Sequence, residues 1–349
     1  MNTNPLVRER VLEYLRKYIQ QMRSDNFVRI ESERALAENL GVSRVSIRNA
    51  IKVLCEEGLL SQTKGSGTYI TPNIWFHTIN VILSNDIKYN DPFYMNLIAE
   101  LNSMCARLSV SLNLVMLEPS GEFFCHDRSI VVVIGHINQD AMDKVVKSFD
   151  KVVVLFDNLQ NDQVTQIAYD DYDIGKHAAK LLHQHDHRKI LLLAGPDKYV
   201  SSCSRRLGFL SAAEEYGIET DVIFQKMNWS GGFECSKAFS EKYSDRSSRP
   251  TGAFATNDWM AIGFIQGLKD AGISVPNDVS VIGCDDIPMA TEYQPLLSTF
   301  NLDAKKVVEE LYYLLNNKNA GALSVNRKIL LNAKFINRKT LRNPAEKQH

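Results

Sequence analysis

Residues capable of chemistry gather at two places along this sequence. Near its start Arg44, Arg48 and Lys52 stand four residues apart, the spacing that aligns side chains along one face of a helix. Such a cationic row donates to phosphate oxygens and to base edges. A little further on, Lys64-Gly65-Ser66-Gly67 sets a cation beside two glycines, whose backbone can come close to a phosphate. In the later part Asp157, Asn257-Asp258 and Asp285-Asp286 each follow an apolar run. Carboxylates and amides in such places exchange hydrogen bonds with ligand hydroxyls. Asp258 and Asp286 stand where helix or turn caps are expected and are read as structural.

Other chemistries lack their residues. The sequence has no G-x-x-x-x-G-K-[ST] loop, no H-E-x-x-H and no G-x-S-x-G elbow, so an α/β sugar-processing enzyme is the lesser reading and no catalytic residue is expected. Gly65-Ser66-Gly67 lacks the third glycine of a dinucleotide fingerprint, and no cofactor is expected. Cys55, Cys105, Cys125, Cys203, Cys235 and Cys284 form no C-x-x-C pair, a pattern of reduced thiols. His183, His185 and His187 alternate within a polar stretch and read as a loop after a helix; no metal is expected.

The elements that must carry these groups follow from periodicity. Val7, Val11, Leu15, Tyr18, Ile19 and Met22 make the apolar stripe of a first helix. Ser32 opens a short second helix that Gly41 ends, and Ser43 caps a third. Ile47, Ala50, Ile51 and Leu54 turn to the core of that third helix, leaving its basic face free. Two short strands at 59–62 and 68–71 flank the glycine tip as a hairpin. Helix, helix-turn-helix and hairpin in this order make a winged helix, a shape that enters the major groove.

A chain of 349 residues exceeds one hydrophobic core. Residues 1–72 hold 11 Lys and Arg against 8 Asp and Glu, a net +3, while the whole chain is at −1; the remaining residues therefore carry −4. A basic module on an acidic bulk suits a nucleic-acid partner. The longest apolar run, 130–135, is too short to cross a bilayer, and the start has no export signal, so the cytoplasm is the expected location. We divide the chain into a DNA-binding domain at 1–72, a linker at 73–77, a large domain at 78–341 and a tail at 342–349. The large domain alternates strands, at 79–83, 112–116, 130–134, 151–156, 189–194, 222–225, 252–255 and 279–282, with helical stretches. That pattern predicts an α/β fold of two doubly wound, mostly parallel sheets, with ligands bound beyond the strands' carboxyl ends.

The first 72 residues resemble the GntR family through Ser32-Glu33-Arg34-x-Leu36-Ala37, Leu40-Gly41-Val42-Ser43-Arg44, Ile47-Arg48-x-Ala50-Ile51 and Gly65-Ser66-Gly67-Thr68. The resemblance implies that Arg34, Ser43, Arg44, Ser46 and Arg48 touch phosphates and base edges, with Lys64, Gly65 and Gly67 at the wing. Glu31 stands where that family usually has proline, and Ser66 where it often has arginine.

Arg205-x-x-Gly208-Phe209, Ala255-Thr256-Asn257-Asp258, Val275-Pro276-x-Asp278-Val279-Ser280, Pro295-Leu296-Leu297-Ser298-Thr299 and Arg338-Lys339-Thr340 resemble the LacI/GalR family and, behind it, periplasmic sugar-binding proteins. This implies a two-lobed, periplasmic-binding-protein-like domain that closes on an effector held by Arg205, Trp229, Asn257 and Asp285, with Phe93, Tyr94 and Asp157 beside it. It also implies a homodimer on a pseudo-palindromic double-stranded DNA operator. The combination is similar to arabinose-type repressors of sugar use. The expected effector is a monosaccharide, with a nucleoside or acidic sugar derivative as the alternative.

Overall fold

A computed structural model of the chain describes residues 5–24, 27–63, 66–72, 76–88, 90–118, 120–125, 127–156, 164–316 and 327–342. Its first unit packs helices α1 (Pro5–Met22), α2 (Glu33–Leu40) and α3 (Arg44–Glu56) on an antiparallel sheet of β1 (Val28–Arg29), β2 (Leu60–Thr63) and β3 (Gly67–Ile70), with β3 central. The apolar stripes close one core around Leu15, Leu36, Ile47, Ile51, Leu54 and Ile70. Local chemistry sets the helix ends. Ser32 accepts from the Ala35 N–H, Ser43 accepts from the Ser46 N–H, and Gly41 takes a left-handed φ of 61° between α2 and α3, where a side chain would be strained.

The rest forms two parallel sheets. The first contains β4 (Thr78–Leu83), β5 (Ser111–Met116), β6 (Ile130–Ile134), β7 (Lys151–Leu155), β8 (Thr165–Tyr169) and β14 (Arg327–Leu331), in the order β14-β8-β7-β6-β4-β5. Helices α4 (Pro92–Leu108) and α5 (Gln139–Ser148) join its first four strands. The second contains β9 (Lys189–Ala194), β10 (Glu219–Phe224), β11 (Gly252–Ala255), β12 (Ser280–Asp285), β13 (Ser298–Asn301) and β15 (Lys334–Ile336), in the order β10-β9-β11-β12-β13-β15, and only β15 runs antiparallel. Helices α6 (Asp171–Gln184), α7 (Val200–Tyr216), α8 (Trp229–Lys242) and α9 (Asp258–Asp270) cover it, and α10 (Ala304–Asn316) returns to the first lobe. Central strands such as β6 and β11 are buried along their whole length, as parallel strands covered on both faces must be.

The chain passes between lobes three times: from β8 into α6, from β13 into α10 and from β14 into β15. These crossings are tied together. The Tyr169 hydroxyl donates to the Asp303 carbonyl at 3.0 Å, and the Asp170 N–H donates to the Leu331 carbonyl at 2.9 Å. Three adjacent strands of chain leave the lobes one main freedom, rotation about the hinge. The closing Arg338-Lys339-Thr340 stretch clasps the second lobe: Thr340 donates to the Val281 carbonyl and accepts from the Ser298 N–H, while Arg338 pairs with Asp286.

β1, β8, β13, β14 and β15 lie outside the strands expected from sequence. They are short or polar, as in Ser298-Thr-Phe-Asn301, and hydrophobic period alone does not reveal them.

Candidate functional site

On the winged helix the third helix presents Arg44, Arg48 and Lys52 on its exposed face, opposite buried Ile47, Ala50 and Ile51. Arg48 is not idle: its guanidinium donates to the Glu33 carboxylate at 2.8 and 3.1 Å. Arg34 similarly pairs with Glu38. Arg48 is thus held by a carboxylate of the preceding helix and Arg34 by one a turn along its own helix, and each can trade that partner for a phosphate. Ser43 is exposed, with its hydroxyl capping α3. Ser46 is buried and its Oγ lies 2.9 Å from Ser43 Oγ, so it braces the cap. Lys64 and Gly65 lie outside the described residues. Gly67 has φ of 131°, and a Cβ there would come within 2.9 Å of Arg29 Nε. Arg29, on β1, therefore adds a cation beside the wing, which sequence reading missed because β1 has only two residues.

The second site lies between the lobes. Asp91 caps α4, accepting from the Phe93 and Tyr94 N–H groups at 3.1 and 3.4 Å. Phe93 packs edge-on against Tyr94 and Phe156, with centroids 5.2 and 5.1 Å apart, which makes one apolar wall of the cleft. Facing them is Arg205 on α7, whose side chain is only 5% exposed. Its guanidinium donates to Asp171 at 2.8 Å, to the Thr256 carbonyl at 2.6 Å and to Asp285 at 3.3 Å. Burial pushes the carboxyls of Asp285 and Asp171 above the usual range, and Arg205 pulls both back. Burial also raises the Tyr94 hydroxyl, with Asp91 and Asp285 adding to the rise.

Backbone geometry aims these groups. Asp285 ends β12 with φ of 126° and Phe156 follows β7 with φ of 62°; non-glycine residues hold such conformations when tertiary packing over-determines them, often at ligand sites. Asn257 caps α9 through Met260 N–H and donates to the Met227 carbonyl, while facing the cleft. Gly175 and Gly208 set the position of Arg205 itself. A Cβ on Gly175 would fall 2.0 Å from the Arg205 carbonyl oxygen, and one on Gly208 2.0 Å from that of Tyr172. α6 and α7 thus touch backbone to backbone, which explains the glycine of the Arg205-x-x-Gly208 motif.

Asp91, Phe93, Tyr94, Arg205, Asn257 and Asp285 come together around one cleft between the lobes. Trp229 does not line it. It starts α8, is 38% exposed and stacks on Phe233. Asp157 lies outside the described residues. Phe156, Tyr169, Asp171, Ser201 and Leu302 also line the cavity; no motif marked them, because they meet only when strand ends from both lobes converge. Asp258 is buried under the site, accepting from Thr299 and from the Ile287 N–H, and burial pushes its carboxyl up to about 7. The three alternate histidines separate: His183 stacks on Tyr216, the His185 ring meets the Leu181 carbonyl and His187 meets Thr251. Among the described residues no three His, Cys, Asp or Glu groups converge on a metal-sized space, and no helix is long and apolar enough to cross a membrane.

A winged helix carrying a basic third helix, joined to two hinged lobes around a polar cleft, defines a DNA-binding regulator with a small-molecule sensor. Residues 7–70 match the gntR family of bacterial regulatory proteins, and residues 179–341 match the periplasmic-binding-protein-like domain. The chain is thus a transcriptional regulator that couples a gntR-type reader to a periplasmic-binding-protein-like effector domain. The HTH-type transcriptional repressor PurR of Photobacterium profundum is 28% identical over 270 residues, 73% of this chain and 79% of that protein. A LacI-family regulator from Enterococcus faecium, crystallised with ribose, shares the fold with a TM-score of 0.63 at 22% identity, covering 75% of this chain and 98% of the other. The Lac repressor dimer bound to its operator does so with a TM-score of 0.64 at 20% identity, covering 76% and 94%.

Proposed function

We infer that this regulator is a cytoplasmic repressor of sugar-utilisation genes whose grip on DNA is released by a neutral sugar ring in the interlobe cleft. The observation that carries this reading is the make-up of the cleft. One arginine is fixed by Asp171 and Asp285, Asp91 and the Asn257 amide also line the cleft and an aromatic wall faces them. Hydroxyls satisfy such carboxylates and amides, and a ring face covers the aromatic wall. An acidic derivative would meet three carboxylates against one cation, which weighs against it. The ribose bound by the Enterococcus regulator and the repressor name of the Photobacterium protein agree with this assignment.

In this reading two copies pair, set their winged helices on the half-sites of a pseudo-palindromic operator, and lose that spacing when the lobes close on the sugar. Arg34, Ser43, Arg44, Arg48 and the wing around Lys64, Gly65 and Gly67 supply the DNA contacts. Arg205, Asn257, Asp285, Phe93, Tyr94 and Asp157 supply the sugar contacts. The ligand is bound and returned unchanged, without catalysis or cofactor.

A thermal-shift panel of pentoses, hexoses, uronic acids, sugar phosphates and nucleosides tests the assignment, because a ligand of the folded state alone raises Tm. At one hundred times Kd the stabilisation is about 2.7 kcal/mol. A shift with a neutral sugar that also weakens operator binding is the expected result. A shift with only the acidic or nucleoside members would overturn the sugar assignment.

A further inference from the structure

Beside the cleft lies a second, partly open recess, sharing Phe156, Tyr169, Asp171 and Ser201 with it. Its own walls are Tyr172 from the first turn of α6, Ser204 from α7, and Lys328 and Leu330 from β14. Three features suit a ligand group there. First, Ser201, Ser204 and Arg205 lie three and four residues apart on α7, so one helix face runs from the chamber into the cleft as a row of hydrogen-bonding groups. Second, Asp171 is the shared partition: it accepts from Arg205 on the cleft side and feels the charge of Lys328 on the chamber side. Asp170, Asp171 and Lys328 all line the chamber and offer acceptors and a donor to ligand hydroxyls. Third, Tyr172 and Leu330 leave 44% and 46% of their surface to solvent at its rim, and a ring face laid on them would cover apolar area.

We propose that this chamber is a second ligand subsite, continuous with the cleft, which takes an uncharged hydroxylated or aryl group joined to the sugar, so that the cognate effector has two units, a disaccharide or a glycoside. The inference rests on the cleft holding the first ring. The hinge-side placement has a mechanical consequence: the second unit would touch β14 of the first lobe and α6 and α7 of the second, bridging two of the three crossings.

Isothermal titration of the full chain with matched sets tests it: glucose, galactose, xylose and arabinose, each against its methyl and phenyl glycosides and its common disaccharides. For the ring type that binds, a two-unit ligand should bind at least tenfold more tightly than the free monosaccharide. Ser204→Phe, which fills the chamber from outside the cleft, should erase that gain and leave monosaccharide affinity within twofold. Tyr172→Ala, at an exposed position that the fold tolerates, should reduce the gain severalfold and covers the case in which Ser204→Phe fails to fold. If a monosaccharide binds and no two-unit ligand surpasses it, or if Ser204→Phe weakens both classes equally, the subsite is refuted while the cleft assignment stands. If no sugar of either size binds, the cleft assignment itself falls and the subsite with it.

Discussion

At the scale of single residues, the central cations of the two candidate sites are already paired within the chain. In the proposed function Arg48 exchanges Glu33 for DNA, and Arg205 shares Asp171 and Asp285 with a ligand. Exchange between charged partners is cheap at an exposed site and costly at a buried one. Arg48→Ala should therefore lower operator affinity at least tenfold and reduce its dependence on salt, with sugar affinity unchanged; titrations of a labelled operator at several salt concentrations report both. Asp285→Ala should do the converse, weakening sugar binding about a hundredfold in calorimetry while the operator is still bound. Loss of both activities in either variant, with the protein still folded, would contradict the separation of the two sites. His187 offers a test of another kind. It is 1% exposed, and burial lowers its pKa to about 4. Above pH 6.5 it is neutral folded or unfolded, and stability is undiminished. As pH falls from 6.5 toward 4, the unfolded chain takes up a proton that the native chain refuses, and stability is lost. Urea unfolding should show the wild type losing about 2 kcal/mol relative to His187→Asn between pH 7 and pH 5. Equal pH profiles would show that His187 charges freely in the fold.

At the scale of elements, the site depends on how closely α6 and α7 approach. Gly175 and Gly208 place each helix's backbone where a methyl group would overlap a carbonyl of the other. Gly208→Ala must push α7 outward, and overpacking of this kind costs roughly 1–3 kcal/mol. Because Arg205 is one turn before Gly208 on the same helix, the displacement also spoils its three hydrogen bonds. Gly208→Ala should thus weaken sugar binding more than tenfold and lower Tm, whereas Gly217→Ala, at a helix end with no atom within 4 Å of its added Cβ, should lower Tm with little effect on the sugar. Equal losses of affinity in the two would assign the effect to general instability.

At the scale of the whole molecule, α4 links the two sites. Its first turn carries Phe93 and Tyr94 in the cleft, and its 17 residues reach about 25 Å to Arg107, which lies 5.8 Å over the Phe27 ring of the winged helix. Phe27 also packs on Tyr312 of α10, 5.9 Å between centroids, and Gly58 approaches Ser109 just past the end of α4. A change in the first lobe that rotates α4 has a direct contact through which to bias the reader. Coupling of this sort is a free energy linking two sites, so it can be removed while both remain. Phe27→Ala should keep operator and sugar affinities within about threefold of wild type, yet reduce the factor by which sugar weakens operator binding. An unchanged factor would place the coupling in another contact, such as that between paired copies.

The sequence by itself determined the elements whose signal is local. Ser32, Gly41 and Ser43 mark helix ends through hydrogen bonds to neighbouring backbone, and stretches such as Ile130–Ile134 declare buried strands by composition. The basic face of α3 follows from helical spacing, and Arg205, Asn257 and Asp285 were legible because each stands at a strand end or in a compact motif. Only the tertiary structure decided which distant groups share a cavity. Asp91, the Tyr169–Asp171 stretch and Leu302 lie far apart in the chain, and nothing in their local sequence distinguishes them from ordinary caps and core residues. Trp229 carried the opposite lesson, since a residue type suited to stacking says nothing of which way packing turns it. Hydrogen bonds within a turn are encoded by neighbours in sequence; the convergence of strand ends across a hinge is a property of the packed lobes.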